Sequence, residues 1–144
     1  MKFYLLGEDN EKVEIEVLSR THPKSTDFWD GNWIDSNIHV EIPGYTVQFM
    51  ACLRTDELSY FLDGLNTMHK MLKGKAILEN LEEYIHFECE MNNLGHIEWK
   101  GKTCYPNGFG AELTFEFKSN QSYLEQIIRD LNRILAVFPV IGKP

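Results

Sequence analysis

Cysteine is scarce in this chain, and what there is does not organise. Cys52, Cys89 and Cys104 are odd in number and widely spaced. They offer neither a disulfide framework nor the CxxC or CxxH pair that would begin a zinc site. Such usage fits a reducing compartment, and the expected location is the cytoplasm. Long apolar runs are missing as well: none approaches the roughly 20 residues that span a bilayer. The opening MKFYLLGEDNEK turns acidic by residue 8 and has no small-residue cleavage site. It reads as a first strand, not a signal peptide. No GxSxG, P-loop, GxGxxG or HExxH is present, so none of the common catalytic fingerprints applies.

Positive charge is also in short supply. Fourteen Lys+Arg stand against 22 Asp+Glu, a net charge of −8. Nucleic acid and anionic membrane carry the same sign, so direct binding to either is not expected. A basic protein is the better partner, because opposite net charge speeds encounter. Plain solubility explains the same balance. The five His do not sit at ligand spacings. His86 and His96 fall on neighbouring predicted strands near Glu88, Glu90 and Glu98, which reads as a wet strand face before a metal site. Cys104, in KTCYPNGFG, has no sequence-local base and reads as a bystander. No metal, cofactor or catalytic residue is expected.

What is present is a regular alternation of strand and helix signals. Apolar residues make up 43% of the 144, spread along the whole length, so one ordered domain is expected rather than disorder. Residues 2–7 and 12–20 read as strands; Val13, Ile15 and Val17 alternate with Glu14 and Glu16. Residues 33–42 and 45–53 read as a hairpin. Pairing Ile42 with Tyr45, Val40 with Val47 and Ile38 with Phe49 puts all six on one face, with Glu41–Thr46 and His39–Gln48 on the other. Pro43 suits a tight primed turn poorly, so a wider loop is expected. Thr55 is the expected cap of a helix whose stripe is Leu58, Phe61, Leu62, Leu65, Met68 and Leu72, ended by Gly74.

The second half repeats the plan. Strands are expected at 75–79, 83–91, 96–102 and 110–118. A loop at Asn93–Gly95 aligns Met91 with Ile97, Cys89 with Trp99 and Glu88 with Lys100. A last helix starts at Ser119–Ser122, carries Leu124, Ile127, Ile128, Leu131, Ile134, Leu135 and Phe138, and stops at Pro139. The fold class is therefore α+β: mostly antiparallel β-sheet with two amphipathic helices, and a ββββα pseudo-repeat over 1–74 and 75–144 within a single domain. One continuous sheet and one sheet per half both fit this pattern.

Two stretches stand out as contact surfaces. In DFWDGNWIDS, Trp29 and Trp33 flank Asp30, Gly31 and Asn32, beside Asp27. Read as extended, the segment points both Trp the same way, and they cover the end of the sheet core. Read as a surface, it is an aromatic anchor ringed by acid, as a hot spot for a cationic partner would be. The second stretch is the acidic edge Glu79–Glu90, with Glu79, Glu82 and Glu83 foremost; a solvated edge is the plainer reading.

The stretches FWDGNWI, LEEYIHFECEMNNLGHIEWKG and NQSYLEQIIRDLNRILAVFPV together resemble the WapI-like immunity proteins, over most of the chain and in the same order. These are small cytoplasmic proteins encoded beside contact-dependent polymorphic toxins of Gram-positive bacteria. Asn120 stands where the family more usually has Asp, which removes a local charge. The resemblance implies a non-enzymatic protein that binds and neutralises the C-terminal domain of a cognate toxin, expected to be a nuclease. Two other classes fit the residues: a self-associating homo-oligomeric module, and a small-molecule binder or enzyme. The last requires His86, His96 and Cys104 to converge on one pocket.

Overall fold

Alternating polarity becomes two sheets, one in each half. In a computed structural model that describes residues 1–144, the elements run β1 (Lys2–Leu6), β2 (Lys12–Arg20), α1 (Phe28–Gly31), β3 (Trp33–Ile42), β4 (Tyr45–Arg54), α2 (Thr55–Met71), β5 (Gly74–Glu79), β6 (Ile85–Met91), β7 (His96–Tyr105), β8 (Ala111–Asn120) and α3 (Gln121–Val137). Strands β1-β2-β3-β4 form one antiparallel sheet and β5-β6-β7-β8 the other. The α+β class and the ββββα order of each half match expectation, and the choice between one sheet and two is settled as two.

The expected registers are the observed ones. Ile42↔Tyr45, Val40↔Val47 and Ile38↔Phe49 pair in β3–β4, and Met91↔Ile97, Cys89↔Trp99 and Glu88↔Lys100 in β6–β7. A slip of one residue would turn each apolar set to water, which is why polarity alone specifies them. Gly44 (φ +82) and Gly95 (φ +78) take the left-handed positions of the two turns. The β3–β4 turn is the tight Pro43–Gly44 connection after all, so the expected widening did not occur.

Both halves feed one hydrophobic cluster. A chain of rings runs from Phe3 on β1 through Phe61 on α2 to Trp99 on β7 and Phe117 on β8, with centroids 6.2–6.4 Å apart. Helix α2 contributes Leu58, Phe61, Leu62, Leu65 and Met68, and α3 contributes Leu124, Ile127, Leu131 and Ile134. A Cβ on Gly64 would lie 2.9 Å from the Ala76 methyl, so the missing side chain lets α2 rest directly on β5.

Several boundaries differ from expectation. Arg54, not Thr55, is the N-cap of α2; Thr55 is buried inside the helix start. Leu72 takes the left-handed C-cap (φ 56) and is exposed, so it leaves the apolar stripe, while Gly74 opens β5. Strand β6 starts at Ile85 because residues 81–84 form a turn, with Glu83 at φ 64. Strands β7 and β8 run on to Tyr105 and Asn120. The expected loop 21–32 contains the additional helical turn α1.

Candidate partner-binding groove

Helix α1 is a single turn built by its own acids and amides. The Asp27 carboxylate accepts from the Asp30 N–H (3.1 Å), a local N-cap. Asn32 then anchors the turn from beneath. Its side chain is fully buried; Nδ2 donates to the carbonyls of Phe28 and Ile141 (2.9 Å each), and Oδ1 accepts from the Thr55 hydroxyl and the Ile141 N–H (2.9 Å each). Every polar atom of a buried amide is matched, which removes the desolvation cost and gives the loop one arrangement. Arg20 adds bonds to the carbonyls of Gly31 and Pro139.

Arg54 closes the loop from the other side. It is 2% exposed. Its Nε donates to Asp56 Oδ1 (2.9 Å), Nη1 to the Trp29 carbonyl (2.7 Å) and Nη2 to the Phe28 carbonyl (2.8 Å). The same guanidinium lies 4.8 Å from the Trp33 ring centroid, 5.1 Å from Phe28 and 5.6 Å from Trp29. A planar fork serves here as only Arg can: edge to two carbonyls and a carboxylate, with aromatic rings within cation–π range. One buried charge is thereby paired and bonded at each of its three nitrogens.

Glu57, in the first turn of α2, ties the β5–β6 turn to this corner. Its carboxylate accepts from Arg54 N–H (2.9 Å), Asn80 Nδ2 (3.0 Å) and Leu81 N–H (2.6 Å). Burial pushes its carboxyl above the ordinary carboxylate range, while those bonds, with Leu81 first, pull the other way. Asn80 also bonds the Cys52 carbonyl (3.2 Å), which fixes the turn against β4.

These contacts shape an open groove of about 730 Å³ between α1, the start of α2 and the β5–β6 turn. Trp29, Tyr60 and Leu81 line it at 58%, 69% and 63% exposure, next to Asp56, Glu57, Glu79 and Glu83. Three large apolar surfaces left in water beside the exposed carboxylates of Glu79 and Glu83 are suited to desolvating and pairing a cationic surface. Catalysis has less to work with. Glu57 is occupied by three donors, and burial pushes the Cys89 thiol up to about 12. His86 and Cys104 line one small hollow and His96 another, so the three do not converge. No group of three or more His, Cys, Asp or Glu has metal-holding geometry. No helix is long and apolar enough to cross a membrane.

The sequence-predicted contact residues divide. Trp29, Glu79 and Glu83 meet in the groove although 50 or more positions separate Trp29 from the acids. Asp27 and Asp30 are exposed beside it, and Glu82 is exposed on the same turn. Trp33 is half-buried against Arg54. Asn32 is a correction: expected at the surface, it is wholly internal and holds the loop. The extended reading of 29–33 is a second correction, because α1 separates the two rings; neither joins the core cluster, whose tryptophan is Trp99. Arg54, Asp56, Glu57 and Tyr60 were missed. The one available signal was an Arg closing the otherwise uncharged strand YTVQFMACL and followed, after Thr55, by two acids.

A family model described as immunity protein WapI-like matches residues 4–139. The chain belongs to the WapI-like immunity protein family. Membership points to an immunity role with a toxin protein as partner. No curated protein sequence matches the chain. Among solved structures it is similar to a chain described under "Crystal structures of trypanosoma bruciei MRP1/MRP2", at 12% identity and TM-score 0.53, covering 94% of this chain and 84% of that one. A second, from "Structure of a guideRNA-binding protein complex bound to a gRNA", is 14% identical with TM-score 0.49, covering 94% and 89%. At such identity the first likeness shows the fold of this immunity family member and nothing of its ligand.

Proposed function

We propose that this chain is a cytoplasmic immunity protein that binds one cognate toxin domain, a basic nuclease, and neutralises it by stoichiometric contact rather than by chemistry. The observation that carries this reading is the groove, where exposed Trp29, Tyr60 and Leu81 adjoin Asp56, Glu57, Glu79 and Glu83. A nuclease grips phosphates with Lys and Arg. An acidic groove with an aromatic floor presents the same sign of charge as the substrate, and the rings supply the desolvated anchor that carries most interface energy. The proposed contact residues are Trp29, with Asp27, Asp30 and Trp33 around it, and Glu79, Glu82 and Glu83 opposite. Asn32, Arg54 and Glu57 support them from below.

Co-expression with the neighbouring toxin domain tests the function. Protection, together with a 1:1 complex that weakens as salt rises, is the expected result. Continued killing despite soluble expression of this protein would contradict it.

A further inference from the structure

The outer edge of β4 is left open from Thr46 to Met50; Tyr84 and Tyr105 stack on Phe49 at the core side, and Asn80 takes the Cys52 carbonyl beyond. Parity along the strand follows from two bonds. Thr55 N–H donates to the Asn32 carbonyl, so odd-numbered residues of β4 face β3, while the Cys52 carbonyl turns outward to Asn80. Residues Thr46, Gln48 and Met50 therefore direct both N–H and C=O away from the sheet. None of these groups meets a partner within the chain, and all three residues are exposed, Met50 by 52%. The register with β3 runs unbroken from Trp33↔Arg54 to Ile42↔Tyr45, with no bulge to twist the edge away.

Natural proteins protect such edges with charge, proline or a short strand. The other three edges do so here. Strand β1 is short and begins with Lys2; β5 carries Lys75 and Glu79; β8 carries Glu112, Glu116 and Lys118. From Tyr45 to Leu53, β4 has no charge and no proline. A basic toxin would gain no electrostatic attraction there. Two copies of a chain with net charge −8 could approach there without opposing like charges.

We propose that β4 pairs edge to edge with β4 of a second copy of this chain, antiparallel about a two-fold axis at Gln48. The register is self-complementary. Gln48 meets Gln48 and Thr46 meets Met50 as bonded pairs, while Val47 meets Phe49 and Tyr45 meets Ala51 on the apolar side. The β1-β2-β3-β4 sheets of the two copies become one continuous sheet across the dimer. Pairing ends at Ala51, before Cys52, whose carbonyl takes Asn80, and before Arg54, the β4 residue that lines the groove.

Light scattering over a dilution series tests this, with Gln48→Pro beside the native chain. Proline removes an N–H that does not serve β3, so the fold is kept. Gln48→Lys sets two like charges against each other at the axis and serves if the proline variant does not fold. The native mass should rise from 16.8 kDa toward twice that value with concentration, and either variant should stay at 16.8 kDa while still binding the toxin domain. Amide exchange at Thr46, Gln48 and Met50 should slow as concentration rises. A native chain that is monomeric throughout, or a dimer that both variants leave intact, overturns the proposal. So does exchange that slows only when toxin is added, which would assign the edge to a toxin strand.

Discussion

The two halves follow the same ββββα course, and two of the equivalent places where they part company bear on the groove. In the second half, β6 returns to β7 through residues 92–95, where Asn92 Oδ1 accepts from Leu94 and His96. In the first half, β2 reaches β3 only through residues 21–32 and α1. At the second place, β8 passes into α3 through Asn120, an ordinary cap accepting from the Ser122 N–H (2.9 Å). Strand β4 passes into α2 through Arg54, which bonds α1 instead. The repeat is thus broken in register: where one half has surplus loop, the same half has an Arg to hold it. Departure from a local rule with a visible compensation is what functional sites look like.

The largest effect is expected in the core that the two halves share. Trp99→Ala should cost about 3–5 kcal/mol and lower the denaturation midpoint of both halves together, because Trp99 touches rings from α2 and β8. Separate transitions for the halves would contradict a common core. Next, Arg54→Ala should cost about 2–4 kcal/mol, since the Trp29 carbonyl and the Asp56 carboxylate lose their Arg54 donors and the Phe28 carbonyl keeps only Asn32. The equivalent Asn120→Ala removes only a cap and should cost about 1 kcal/mol. Equal costs at the two junctions, measured by urea unfolding, would erase the asymmetry. Asn32→Ala should fall between them, at about 1–3 kcal/mol, and free the loop to exchange its amides.

Glu57 gives the smallest effect, with a distinctive sign. Its carboxyl lies above the ordinary value of 4.5, so the folded chain takes up this proton before the unfolded chain does. This group therefore costs stability at neutral pH and returns it as pH falls through the folded pKa, levelling off below the ordinary value. Against Glu57→Gln, whose side chain does not titrate, the native chain should gain ground in urea midpoints between about pH 7 and about pH 4. Divergence in the opposite direction would mean that the three hydrogen bonds to Glu57 outweigh its burial.

Much of the fold was legible because each strand has two faces of different polarity. The observed register keeps Val40, Val47, Ile38 and Phe49 on one side and His39, Gln48 and Glu41 on the other, and a slip of one residue would mix the two sets. The groove was legible only in fragments. Trp29 and Glu83 could each be named as surface residues, but their meeting depends on Asn80 and Glu57 drawing the β5–β6 turn onto α2. Arg54 was invisible for a plainer reason. A charged residue at a strand end reads as solvated, and its partners Phe28 and Trp29 lie some 25 positions back. Asn32 misled because amides in turns are usually wet, whereas this one is matched at every atom.

The most direct test of the groove is the affinity of Trp29→Ala and Glu83→Lys for the cognate toxin domain, with thermal midpoints measured in parallel. Both side chains line the groove, and neither belongs to the core cluster. The account predicts that each variant binds at least about tenfold more weakly while unfolding within a few degrees of the native chain. Unchanged affinity in both would contradict it and place the toxin on another face.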